Sequence, residues 1–153
     1  MSQSLIDQGL RLVFEGKFEE ARNAFKKAHR EAQSAESLTY WGWMEYQLGN
    51  VEKAIRLCRK AIRRDPELGN PYNDIGSYLV VLGREEEAIE WFEKAIAAPK
   101  YEARHYPHLN LGRLFMKRRL PIRALQEFQK ADAWSPGDPG VGAAIKSLIE
   151  SLN

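Results

Sequence analysis

Small residues that recur at a nearly fixed interval mark this chain as all-α, a stack of antiparallel helix pairs. Gly9, Gly42, Gly76 and Gly112 are separated by 33, 34 and 36 residues. Ala21, Ala54, Ala88 and Ala124 keep the same intervals, as do Ala28, Ala61, Ala95 and Ala131, and Phe25, Cys58, Phe92 and Phe128. Self-similarity at this period belongs to arrays of supersecondary units, each too small to bury its own apolar face. Inside a unit the apolar residues fall three and four apart, as in Ala54-Ile55-Leu57-Cys58-Ala61-Ile62, which is a helical period. Turn residues then divide every unit into two helices.

The first helix runs from about residue 3 to 15 and stops at Gly16-Lys17, where glycine can take the left-handed turn that closes a helix. A second follows over about 18 to 31. Helices near 35 to 48 and 51 to 64 are parted by Gly49-Asn50, and the latter ends before Asp65-Pro66, because a residue preceding proline is pushed out of the α region. Gly83-Arg84 parts helices near 70 to 82 and 85 to 98, with Pro99 as the stop. The helix near 105 to 118 has no closing glycine; Leu120-Pro121 instead opens a helix over about 121 to 133, since proline suits a first helical turn. Ser135-Pro136 ends it, and a last helix covers about 139 to 151. The repeats are thus expected at 2–34, 35–68, 69–104 and 105–138, with a terminal helix at 139–151, all within one domain spanning 1–153. A glycine on the first helix and alanines on the second let the two approach closely. In the third copy Tyr72, Ile75, Leu79, Trp91 and Phe92 fill the space between them.

Composition agrees with one folded domain. The chain has 153 residues, 44% hydrophobic and 29% charged, far from the composition of a disordered chain. Lys and Arg number 23 against 21 Asp and Glu, a net charge of +2, too small to select nucleic acid or an anionic membrane. The single cysteine, Cys58, allows no intramolecular disulfide, and its place in the aromatic column makes it a buried apolar group rather than a nucleophile. The start, Met1 to Gln8, lacks the basic residues and apolar run of a signal peptide. No stretch approaches the roughly 18 apolar residues of a membrane helix, so a cytoplasmic location is expected.

Catalysis is not indicated. There is no glycine-rich phosphate loop and no His-Glu-x2-His, and only His29, His105 and His108 are present. His105 and His108 lie three apart on one helix, yet no carboxylate or cysteine in the pattern completes a ligand set. The expectation is therefore no catalytic residue, no metal and no cofactor.

Tyr72-x2-Ile75-Gly76-x2-Leu79, Ala88-x3-Phe92 and Ala95 resemble the Trp-x2-Leu-Gly-x2-Tyr, Ala-x3-Phe, Ala pattern of the tetratricopeptide repeat family. Leu38-x2-Trp41-Gly42, Ala54-x3-Cys58, Ala61 and Asp65-Pro66 repeat it in the second copy. His108-x2-Leu111-Gly112-x2-Phe115, Ala124-x3-Phe128, Ala131 and Pro136 repeat it in the fourth. The resemblance covers nearly the whole chain and implies a right-handed solenoid with a concave and a convex face, closed by a capping helix with the stripe Val141, Ile145, Leu148, Ile149 and Leu152. Three departures stand out: Gln8 in an apolar column, Glu45 where an aromatic is usual, and two extra residues in Pro99-Lys100-Tyr101-Glu102-Ala103-Arg104. Glu45 is expected to be partly buried, with a raised pKa or an arginine partner, and the long joint to alter the angle between copies.

The resemblance also implies that the first helix of each pair lines the groove. It assigns Gln3, Ile6, Leu10 and Val13 from the first copy, with Glu36, Thr39, Trp43, Tyr46 and Gln47 from the second. Asn70, Asn73, Ser77, Val80 and Val81 come from the third, and Tyr106, Leu109, Arg113, Met116 and Lys117 from the fourth. Trp43, Tyr46 and Tyr106 offer apolar bodies with polar tips, Asn70 and Asn73 can bond a peptide backbone, and Arg113 with Lys117 can meet a carboxylate. The expected site is therefore Thr39, Trp43, Tyr46, Asn70, Asn73, Ser77, Tyr106, Leu109, Arg113 and Lys117, binding a protein segment with an acidic or C-terminal group. In the other reading, Trp43 and Tyr46 are packing between copies, and Lys117-Arg118-Arg119 is a solvated helix end. The family's two-carboxylate clamp for chaperone tails is not expected, because Ile6 and Leu10, or Thr39 and Trp43, stand in its places. Two outer faces are strongly charged: Arg56, Arg59, Lys60, Arg63 and Arg64, and Glu85, Glu86, Glu87, Glu90 and Glu93. They underlie the alternatives to a groove-binding adaptor, a self-assembling scaffold and, behind it, an RNA-binding repeat that lacks aromatics among its arginines.

Overall fold

The computed structural model describes residues 1–153 as nine helices. They are α1 (Ser2–Phe14), α2 (Phe18–Ala32), α3 (Ala35–Gln47), α4 (Val51–Arg64), α5 (Asn70–Val81), α6 (Glu85–Ala97), α7 (His105–Lys117), α8 (Pro121–Trp134) and α9 (Pro139–Ser151). Every expected helix is present, and no end differs by more than one residue. Each helix packs on the next in sequence, and α3 also meets α5, α5 meets α7, and α7 meets α9. Direct approach of the odd-numbered helices makes them the inner row of the stack, with the even-numbered helices outside.

The repeating columns are the contact surface of each pair. All eight alanines of the two alanine columns are wholly buried, as are Phe25, Phe92 and Phe128. A Cβ added at Gly9, Gly76 or Gly112 would lie 2.4, 2.5 or 2.3 Å from the ring of Phe25, Phe92 or Phe128 respectively. The missing side chain is therefore what lets each phenylalanine lie across the partner helix. The second copy departs from this: Cys58 replaces the ring, and a Cβ at Gly42 would have 3.2 Å to the Ala54 carbonyl and 3.5 Å to Cys58 Sγ. A continuous core runs from Ala54 through Ile75, Leu111 and Phe128 to Leu148, with a smaller one around Phe25 and Met44.

Gly16, Gly49 and Gly83 close α1, α3 and α5 with φ of 76°, 91° and 77°. In the fourth copy Arg119 does the same with φ 59°. The left-handed region disfavours a residue bearing Cβ by about 1–2 kcal/mol, and Arg119 is exposed and makes no ion pair. Arg119→Gly is therefore expected to raise unfolding stability by about 0.5 kcal/mol in urea titration, the strain relieved being partly offset by the freer unfolded chain.

The long joint before α7 is stitched to the one before α5. Lys100 N donates to the Glu67 carbonyl (3.0 Å), Gly69 N donates to the Lys100 carbonyl (2.9 Å), and Lys100 Nζ lies 2.6 Å from Asp65 Oδ2. Tyr101 is buried over Gly69, where a Cβ would be 2.4 Å away. At the far end Asp138 caps α9 by accepting from Gly140 N and Val141 N, and Val141, Ala144 and Leu148 turn inward. No helix is long and apolar enough to cross a membrane.

Candidate partner-binding groove

The inner row brings α3, α5 and α7 together through side chains as well as backbones. Tyr46 of α3 stacks on Tyr78 of α5, with ring centroids 4.6 Å apart. Asn110 Nδ2 of α7 donates to Asn73 Oδ1 (3.0 Å) and Ser77 Oγ (3.3 Å) of α5. Trp43 is half-buried beside Tyr40, which stacks on Phe25. Thr39, Asn73 and Leu109 are buried, with the Thr39 hydroxyl donating to the Ala35 carbonyl (2.7 Å). Asn70, Tyr106, Arg113 and Lys117 are exposed, and Trp43, Tyr46 and Ser77 are half-buried. The two cations are not equivalent: Lys117 Nζ is 2.7 Å from Glu85 Oε1, and Arg118 pairs with Glu85 and Glu86, whereas Arg113 has no carboxylate partner.

Sequence reasoning missed the neighbouring column, Asp7, Tyr40, Asp74 and Asn110. Positions three and four apart share a helix face, so Glu36 with Tyr40, Asn70 with Asp74, and Tyr106 with Asn110 were legible as a common stripe. Asp74 is the unusual member. It is half-buried, makes no hydrogen bond or ion pair, and burial pushes its carboxyl up to about 7. Relative to an unfolded value of 3.8, the folded state then holds more protons across this interval. Stability therefore falls as pH rises from about 4 to 7. A shift of this size corresponds to at most about 4 kcal/mol, of which the open side leaves about 1–2. Asp74→Asn is accordingly expected to raise stability by about 1–2 kcal/mol at pH 8 and to change it little at pH 4, as read by urea unfolding at both.

Glu45 is buried and richly partnered. It accepts from Trp41 Nε1 (3.0 Å) and Asn50 Nδ2 (2.9 Å), and lies 3.1 Å from Lys53 Nζ and 3.6 Å from Arg22 Nη1. Burial alone would raise its carboxyl, but the hydrogen bonds from Asn50, Lys53 and Trp41 outweigh it and hold the group at about 2. The raised value expected for Glu45 is thus corrected. The second expectation, an arginine, is met by Arg22 with Lys53 closer. The group ties α2, α3 and α4 together.

The two histidines of α7 pair with different acids from later elements: His108 Nδ1 is 2.8 Å from Glu127 and His105 Nε2 is 3.7 Å from Asp138. Cys58 is sealed in the core, and burial pushes its thiol up. On the outer side, His29, Leu38, Trp41, Lys60, Arg63 and Arg64 line an open cleft of about 400 Å³. Aromatics do accompany these cations, with Arg59 also 5.0 Å from the Trp91 ring. Trp41 is already committed, since its indole N–H is given to Glu45 and Lys26 and Lys53 lie over its ring.

Four helix pairs, three of them closed by a glycine–phenylalanine contact, and a ninth helix over the last pair define a helical-repeat protein. Residues 6–68 and 70–100 match family models described as Tetratricopeptide repeat, together more than half the chain, and the chain belongs to that family. Solved structures agree. PilF of Pseudomonas aeruginosa superposes with a TM-score of 0.85 at 23% identity, over 99% of this chain and 68% of that one. PilW, described as a widely conserved type IV pilus biogenesis factor, gives 0.79 at 20% identity, over 92% of this chain and 64% of that one. The second repeat domain of Spaghetti (RPAP3), bound to the HSP90 peptide SRMEEVD, gives 0.59 at 22% identity, over 63% of this chain and 91% of that one. These likenesses show the fold alone. No curated protein sequence matches the chain. Repeats of this family are in general protein-interaction modules.

Proposed function

We propose that this chain is a non-catalytic adaptor that holds a segment of a partner protein against its inner row. The observation that carries the reading is the open stripe Trp43, Asn70, Ser77 and Tyr106, which ends at an uncompensated Arg113. Trp43 and Tyr106 give the stripe apolar anchors, and Asn70 has amide groups free to bond an extended backbone. Arg113 is the better seat for a carboxylate of the segment, because Lys117 is shared with Glu85. The RPAP3 domain is a family member seen with a peptide, which supports the mode of binding. It does not carry over the chaperone tail, since Ile6, Leu10, Thr39 and Trp43 stand where that clamp needs polar and basic groups. A cytoplasmic location belongs to the same proposal, supported by a lone buried Cys58 that calls for no oxidising compartment.

Trp43→Ala and Arg113→Ala are each expected to weaken a captured partner at least tenfold, about 1.4 kcal/mol, with helicity retained. Affinity capture from native lysate followed by titration of the identified partner checks this. Equal affinity in all three proteins would remove binding from the inner row. The second reading, self-association, is favoured by Lys60, Arg63 and Arg64 on α4, which have no carboxylate partner, and by the open Glu90 and Glu93 of α6. Light scattering that shows growth with concentration, reversed by salt, would move it ahead.

A further inference from the structure

Asp74 sits on α5, in the middle of the inner row, and nothing in the chain answers its charge. No backbone or side-chain donor reaches its carboxylate, and no Lys, Arg or His forms an ion pair with it. Asn110, at the corresponding position of the next copy, gives its amide to Asn73 and Ser77 instead. The groups within electrostatic reach are Tyr40 of α3, Cys58 of α4, Tyr78 of α5 and Tyr101 of the joint before α7. The Tyr78 hydroxyl is itself sealed from solvent without a hydrogen-bond partner. Tyr40 in turn feels the charges of Glu36 on its own helix and, from the neighbouring inner helices, of Asp74 and Asp7.

A half-buried carboxylate with no donor is poorly stabilised in its charged form, and an incoming cation supplies what the chain withholds. A ring beside the acid adds a face on which such a cation can rest. A divalent metal fits less well, because no three of His, Cys, Asp and Glu gather anywhere in the structure to share it. We propose that Asp74 and Tyr40, backed by Glu36 and Asp7, form the seat for a lysine or arginine side chain of the bound segment. The groove then has a direction, with the basic residue of the segment at the second and third copies and its acidic end toward Arg113. This assignment rests on the inner row being the binding face.

Burial raises the pKa of Tyr40, Cys58, Tyr78 and Tyr101, so Asp74 is the titrating group of the seat near neutrality. A cation binds its ionised form, and affinity for a basic segment is expected to grow about tenfold from pH 6 to pH 8.

The test is selection of histidine-free random peptides displayed on phage at pH 8, against the wild-type protein, Asp74→Asn and Trp43→Ala. Wild type is expected to enrich Lys or Arg at one fixed position. Asp74→Asn, which keeps the shape and is expected to be more stable, retains the other enriched positions and loses that one. A wild-type-selected peptide binds Asp74→Asn at least tenfold more weakly at pH 8, with no rise from pH 6. Trp43→Ala loses the selection as a whole. The cation seat is overturned if wild-type peptides carry no fixed basic position, if Asp74→Asn keeps it, or if wild-type affinity does not change with pH. Failure of wild type to enrich any peptide would instead overturn the groove reading, and this assignment with it.

Discussion

Gly76→Ala is expected to cost about 1–3 kcal/mol of unfolding stability, and Gly76→Leu to prevent the third helix pair from closing at all. The added Cβ lands 2.5 Å from Phe92 Cε1, 2.6 Å from Cδ1 and 3.0 Å from Cζ, against a comfortable carbon–carbon separation of about 3.5–4.0 Å. Phe92 cannot swing away, since it is 1% exposed and Ala88 and Ala95, at 0%, flank it along α6. The helices must part instead, loosening the core that runs into the fourth copy. Alanine is the better helix former by about 1 kcal/mol, so the net loss is smaller than the steric one. Gly42→Ala is the built-in control. Its Cβ meets the Ala54 carbonyl at 3.2 Å and Cys58 Sγ at 3.5 Å, and the gain in helix propensity leaves stability within about 0.5 kcal/mol of wild type. Urea unfolding followed by circular dichroism compares the two directly. Equal losses would mean that the glycine–phenylalanine contact is not what sets the spacing of the pairs.

That contact is why the fold was so legible. A column of Gly against a column of Phe, held in register with two columns of Ala, leaves one way for two helices to pack, and the constraint is written three times, with Cys58 standing for the ring in the second copy. The turns were legible where glycine writes them, and less so at Arg119, where a residue with Cβ takes the left-handed conformation under constraint from its surroundings. The groove was only half legible. A stripe stepping three and then four along the helix gave Asn70, Asn73 and Ser77, but the residue four after Asn70 shares the face too, and leaving that column out lost Tyr40, Asp74 and Asn110. Nor can a linear pattern reveal which polar groups are already taken. Lys117 looks as free as Arg113 until α6 brings Glu85 beside it, and His105 and His108 look alike until Asp138 arrives from the cap of α9 and Glu127 from α8.

Glu45→Ala is expected to cost about 3–4 kcal/mol, the range for breaking a buried charge network by removing one partner. The substitution takes the acceptor from the Trp41 indole N–H and the Asn50 amide. It also leaves Lys53 and Arg22 facing a void lined by α2, α3 and α4. Glu45→Gln keeps the volume and one carbonyl acceptor but loses the charge, and is expected to cost about 3 kcal/mol at pH 7 and little near pH 2. The acid limb of the stability profile separates charge from shape. Because the folded carboxyl is held at about 2 against 4.5 in the unfolded chain, its contribution is fully present above about pH 4.5. It disappears as pH falls toward 2, a loss of about 3 kcal/mol. Glu127, held low by the His108 bond and Lys130 against its own burial, steepens the same limb. Asp74 works in the opposite sense on the neutral side, so wild-type stability is expected to peak near pH 4–5 rather than at 7. Thermal melts across pH should show Glu45→Gln flattening the limb below the peak and Asp74→Asn the limb above it. If Glu45→Gln instead leaves the acid limb as steep as in wild type, the network holds α2, α3 and α4 by shape alone and its charge contributes nothing.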